Sequence, residues 1–162
     1  MDTFLAWLQN STSGELLYTL LMSMVPVVEL RGGIPFGVGL GLDIWPAYCA
    51  AVVGNMIPVP FIIVFIRRIF KWMRVRSRRL GSLVDRLERK AHLKGQKVTK
   101  YKYLGLMILV AIPLPGTGAW TGALVAAFLD MRLRKALPAI FLGVLIAGLA
   151  ISALTFGVTS LL

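Results

Sequence analysis

The chain has 162 residues, 57% of them hydrophobic, and a formal net charge of +11. A soluble domain of this length carries more charge and shorter apolar runs, so the composition points away from a water-soluble fold. A single cysteine, Cys49, allows no disulfide framework or cysteine-rich metal site, and the single histidine, His92, lies in the basic loop, away from any place for a metal centre or catalytic triad.

In chain order, residues 1–14 read as a short amphipathic lead-in, with Phe4, Leu5, Trp7 and Leu8 as interfacial anchors. This start lacks the basic opening and small-residue cleavage pattern of a signal peptide. Residues 15–43 form an apolar stretch broken at its centre by Glu29-Leu30-Arg31-Gly32-Gly33-Ile34-Pro35. Residues 45–66 are uncharged and long enough to span a hydrocarbon core of about 30 Å. Residues 67–102 hold fourteen of the eighteen Lys and Arg, and read as a basic cytoplasmic loop with an interfacial helix. Residues 103–130 form a second apolar stretch, broken by Pro113-Leu114-Pro115-Gly116-Thr117-Gly118. Residues 136–162 are uncharged and form the second crossing.

The halves of each broken stretch, such as Leu16–Val28 and Leu104–Ile112, fall short of the roughly 17 residues that a spanning helix needs. Charge placement sets the sides. The basic loop and Arg132-Leu133-Arg134-Lys135 flank the second broken stretch on both ends, and the positive-inside rule puts both in the cytoplasm. The first broken stretch has only Asp2, Glu15 and Asp43 at its flanks, so both face outside, as do both termini. The expectation is an all-α polytopic membrane protein, built as an inverted repeat of a re-entrant helical hairpin plus a transmembrane helix. A weak echo supports the repeat: each break is followed by an acidic residue, Asp43 or Asp130, and then by Pro46 or Pro138. The alternative is a plain bundle of short or tilted crossings, which charge alone does not distinguish. The concentration of charge in one loop, without aromatic interleaving or groove-reading elements, argues against nucleic-acid binding.

Glu29 and Arg31 are the most informative charges. An ionisable group mid-membrane costs about 2.5–3.5 kcal/mol on insertion scales, so it faces a cavity or a partner. Arg31 suits bidentate recognition of an anionic group such as phosphate. Glu29 is a candidate proton or cation site; the alternative is a structural Glu–Arg pair. Gly32 and Gly33 permit a reversal with open backbone N–H groups, or else close helix packing. Pro35 is placed to restart a helix whose N-terminus points at the membrane centre. In the second break Pro113 and Pro115 stop a half-helix, and Gly116, Thr117 and Gly118 make the turn. Thr117 is placed to N-cap the next half-helix, with Trp120 and Thr121 on its first turn. Trp120 either lines the cavity or packs, and Thr121 either lines it or bonds back to its own helix. Asn55, ahead of Pro58 and Pro60, is a polar residue within the first crossing that glues helices or lines a path.

The segments ELRGGIPFGVGLG (29–41), KVTKYKYLGL (97–106) and AIPLPGTGAWTGALVAAFLD (111–130) resemble the small multi-drug export protein family over nearly the whole chain. That family is similar to the wider DedA/VTT group of membrane proteins. The resemblance implies paired inverted re-entrant hairpins and, for the wider group, translocation of polyprenyl-phosphate or other lipids, with proton coupling. By position, Glu29, Arg31, Gly32, Gly33, Pro35, Pro113, Pro115, Gly116, Thr117, Gly118, Trp120 and Thr121 match its motifs. DedA proteins proper carry further charges around the second hairpin, and residues 103–129 here carry none.

The reading is therefore a small transporter of the inner cell membrane that moves an anionic lipid or lipid-carrier phosphate, without cofactor or metal. So small a chain encloses little volume, which suggests a homodimer among membrane lipids. The rivals are a proton-coupled drug exporter and a non-transporting membrane assembly factor. An enzyme acting on lipid phosphates lacks a nucleophile or metal ligands in the sequence.

Overall fold

The computed structural model describes residues 12–76, 82, 85, 101–114 and 116–159. The lead-in up to residue 11, most of the basic segment after residue 76, and Pro115 lie outside the described residues.

The described residues form helices α1 (Thr12–Met24), α2 (Glu29–Gly39), α3 (Ile44–Met56), α4 (Pro58–Arg76), α5 (Lys102–Ala111), α6 (Ala119–Phe128) and α7 (Leu133–Thr159), with no strand among them. Two lengths suffice to cross a membrane. One is α3 with α4, Ile44–Arg76, and the other lies within α7. The joint between α3 and α4 is at Ile57, whose N–H still reaches Val53 O at 3.1 Å. Pro58 can open α4 because the first turn of a helix needs no donor there. The helix that contains the first crossing does not stop at residue 66. α4 runs on to Arg76, so the start of the basic segment is helix rather than loop.

The two breaks make two helical hairpins, α1–α2 and α5–α6, and each hairpin's first arm lies along the crossing that follows it. α1 packs on α3, and α5 packs on α7. Both contacts close on a glycine. A Cβ at Gly54 of α3 would lie 2.2 Å from Leu20 O of α1. A Cβ at Gly143 of α7 would lie 2.7 Å from Met107 O of α5. Small residues let membrane helices approach backbone to backbone, where dispersion contacts replace the missing hydrophobic drive. The second arms pack crosswise: α2 against α7 and α6 against α4. The two crossings meet at Tyr48, which donates to Leu145 O at 3.2 Å. One core joins both halves, through Leu30, Ile34, Ile63, Val110, Ala123, Met131, Ile140 and Val144.

Candidate functional site

The first break falls earlier than the Gly/Pro motif. The chain turns at residues 25–28, where Glu29 N–H reaches Val25 O at 2.9 Å, and α2 starts at Glu29. Pro35 does not restart a helix; it lies inside α2 and is exposed. Gly33 faces α1, where an added Cβ would lie 1.9 Å from Ser23 Oγ. A Cβ on Gly32 would meet the Val28 side chain of the preceding turn at 2.4 Å. These glycines thus serve close packing of α2, and the reversal is made by the residues before them. Pro35 is tolerated because a lone missing donor on an exposed face can be accommodated in membrane helices.

The second break is where the sequence places it. Thr117 N–H reaches Leu114 O at 3.1 Å across Gly116, whose φ of 82° fits the third position of a type II turn. Thr117 is not the N-cap of α6. Gly118, with φ of 133°, intervenes and takes that position, and no side chain caps from it. The Thr117 hydroxyl instead faces back into the loop, 2.6 Å from Ile112 O and 2.8 Å from Leu114 O. Thr121 Oγ1 donates to Gly116 O at 3.0 Å, so it ties the loop to the first turn of α6.

The charges of the first hairpin close on the second break. Glu29 is buried, 5% exposed, and adopts the left-handed region with φ of 48°. Its Oε1 accepts the backbone N–H of Trp120 at 3.3 Å. A carboxylate therefore sits on the N-terminus of α6, where the free N–H groups and the helix dipole favour negative charge. Arg31 serves the opposite end of the same break. Its guanidinium donates to Leu114 O, to Thr117 O, and to Thr117 Oγ1 at 2.8 Å, with Ile112 O 3.5 Å away. These oxygens belong to the loop that joins α5 to α6. Glu29 and Arg31 do not pair with each other. They form a clasp on the other hairpin: Glu29 caps the start of α6, and Arg31 holds the loop before it.

Two grooves flank the clasp. One, about 700 Å³, lies between α4 and α6 and is lined by Pro58, Pro60, Phe61, Phe65, Arg68 and Trp120 among others. The other, about 400 Å³, lies between α2 and α7, and Arg31, Pro35 and Thr155 are on its wall. Trp120 therefore lines a groove with its side chain while its backbone holds Glu29. Its indole Nε1 is buried without a hydrogen-bond partner among the described residues. The buried Asn55 amide likewise has no partner among them.

Sequence reasoning missed Arg67 and Arg68 by assigning them to a loop. Arg67 closes the far end of α6: it donates to Met131 O, and its Nε lies 3.5 Å from Asp130 Oδ1. Asp130 thus pairs with Arg67, not with its sequence neighbours Arg132 and Arg134. The signal for Arg68 was available. Pro58, Phe61, Phe65 and Arg68 recur at helical spacing and form one stripe of α4. Among the described residues no group of His, Cys, Asp and Glu is arranged to hold a metal.

Long apolar helices, two helical hairpins and a buried carboxylate between them define a polytopic α-helical membrane protein. The family model described as "Putative small multi-drug export protein" matches residues 29–150. The chain belongs to that family, a family of membrane transporters by its description. No curated protein and no solved structure matches the chain.

Proposed function

We propose that the protein transports an amphipathic anion, a lipid or lipid-carrier phosphate, through a site at the clasp, and that Glu29 exchanges a proton in the cycle. The observation that carries this reading is the position of the Glu29 carboxylate on the N-terminus of α6. An anionic headgroup would seek the same place. With Glu29 ionised the clasp is neutral and closed on itself. With Glu29 protonated, Arg31 and the α6 N-terminus present net positive charge to an incoming anion.

Depth supports re-entrant hairpins in an inverted repeat. From Trp45, exposed near the start of α3, to Arg67 is about 33 Å of helix, so Arg67 belongs near the cytoplasmic interface. The far end of α6 is tied to Arg67, and the helix has 10 residues, so its N-terminus lies about 15 Å deeper. α2 has 11 residues and reaches the clasp from the other side over about 16 Å. The sum matches a hydrocarbon core of about 30 Å, with the clasp near its middle. The kinship with DedA/VTT proteins read from the motifs fits the same arrangement. On this reading the protein is a carrier of the inner membrane, not an enzyme, and works as a homodimer.

The second reading is a proton-coupled drug exporter, favoured by the family description and by a buried carboxylate able to exchange a proton for a lipophilic cation. The test is reconstitution in proteoliposomes with a fluorescent lipid phosphate and with a lipophilic cation. Anion movement that is lost in Arg31→Ala and loses its pH dependence in Glu29→Gln supports the first reading. Cation movement that survives Arg31→Ala and is lost in Glu29→Gln supports the second. Unchanged function in both variants supports an assembly factor.

A further inference from the structure

We infer that the groove between α4 and α6 is a seat for an anionic phospholipid of the cytoplasmic leaflet, its headgroup at Arg68 and its acyl chain against Phe65, Phe61 and Trp120. The seat stands apart from the clasp's cargo, since it holds for an exporter of drugs as well as for a lipid carrier.

The groove has the shape of the ligand. Its lining is apolar along α4 from Pro58 to Phe65, and Arg68 supplies a charge at one end. Phe61 and Phe65 are exposed by 71% and 64%, so the described residues leave the stripe uncovered. Along α4, Pro58 to Arg68 is a rise of about 15 Å, one leaflet's depth. Arg68 neighbours Arg67, which is anchored beside Asp130 at the end of α6, so the charged end belongs at the interface and the apolar end at the clasp. Among the described residues no carboxylate pairs with Arg68. Its guanidinium is available to a phosphate, for which its fork is suited. The cytoplasmic leaflet is the anionic one, and the basic segment that follows α4 raises the local concentration of anionic lipid. At the deep end, the unpartnered indole of Trp120 places an aromatic reporter in the wall.

That reporter gives the test. The full chain with Trp7, Trp45 and Trp72 changed to Phe leaves Trp120 as sole tryptophan. It is reconstituted in vesicles carrying phosphatidylglycerol or phosphatidylcholine brominated midway along the acyl chain, at equal mole fraction. One arginine at a membrane surface favours an anionic lipid by about 1 kcal/mol, about fivefold in occupancy. Trp120 is expected to show about that preference for the brominated phosphatidylglycerol. Arg68→Gln is expected to abolish the preference, while Lys71→Gln, which is not on the groove, keeps it. Equal quenching by the two lipids in the otherwise unchanged protein overturns the seat, and this arm needs no further variant to fold. A preference that survives Arg68→Gln overturns the assignment of the headgroup, since the general basic surface would then explain it. Absence of quenching by either lipid overturns the proposal too, because a second protein chain would then fill the groove.

Discussion

The carboxylate of Glu29 lies so close over Gly118 that a Cβ there would sit 2.0 Å from Oε2. The two residues come from different hairpins, and Gly118 also has φ of 133°, a conformation that L side chains rarely adopt. Gly118→Ala therefore strains the backbone and expels the carboxylate together. Its expected cost is about 2 kcal/mol or more, seen as a lower thermal midpoint in detergent. The two causes separate in a double-mutant cycle. In a Glu29→Ala background the clash is gone and only backbone strain remains, so Gly118→Ala should cost less there, with a coupling of about 1 kcal/mol. Full additivity would show that the carboxylate does not rest on Gly118.

Arg31 holds the second break through a planar fork that lysine does not reproduce. Its donors reach Leu114 O and both oxygens of Thr117. Arg31→Lys keeps the charge and loses the fork's simultaneous contacts to these oxygens, at an expected cost of about 1–3 kcal/mol. Thr117→Val removes the hydroxyl that binds both Arg31 and the loop carbonyls, and should cost about 1 kcal/mol. Because the pair share partners, the double variant should cost less than the sum. Thermal unfolding of the three proteins in one detergent checks this, and strict additivity would count against a shared network.

Close backbone approach makes Gly54 and Gly143 equivalent in the two halves. Their added methyl groups would meet backbone carbonyls, Leu20 O and Met107 O, which cannot swing aside as a side chain tip does. Gly54→Ala and Gly143→Ala should each destabilise by about 1–3 kcal/mol. Gly39 and Gly105 have open space around an added Cβ, and alanine there should be neutral. If all four variants melt alike, the helices do not close on these glycines.

Much of this was legible in the chain. The lengths of the apolar stretches, the two interruptions and the absence of other mid-membrane charges pointed to hairpins and to Glu29 and Arg31 at their tips. The position of the first turn was not, because Pro26 sits in an otherwise apolar run and carries less conspicuous punctuation than Gly32, Gly33 and Pro35. Gly33 and Gly37 are four residues apart and share the face packed on α1, a packing signature that competes with the reading of a turn. Thr117 precedes a helix as a cap would, but Gly118 turns the chain and sends the hydroxyl back into the loop. The grip of one hairpin's charges on the other hairpin's helix start and loop joins residues more than eighty positions apart, and one sequence holds no local trace of it.

Sidedness can be read directly with cysteines. Cys49 is replaced by Ala, since it is exposed and would react with reagents that enter the bilayer. Single cysteines then go to Asp43, before α3, and to Asp130, after α6, both exposed. With hairpins that enter and leave on one face, Asp43 reacts with an impermeant thiol reagent added outside intact cells, and Asp130 reacts only after permeabilisation. The same assay at Thr12 and at Arg132 tests each hairpin against itself. Thr12 should behave as Asp43 does, and Arg132 as Asp130 does, because a full single crossing would put the ends of a broken stretch in different compartments. Cysteines at Val27 and Leu114, in the two turns, provide the depth. Both side chains are exposed on the bare chain, yet they lie beside the clasp, about 15 Å below either surface if the helix lengths set the depth. They should resist the impermeant reagent from both sides and yield to a membrane-permeant one. Ready labelling of Val27 by an impermeant reagent from the cytoplasmic side would mean that the first hairpin spans the bilayer, and the clasp would then have to be placed at a surface.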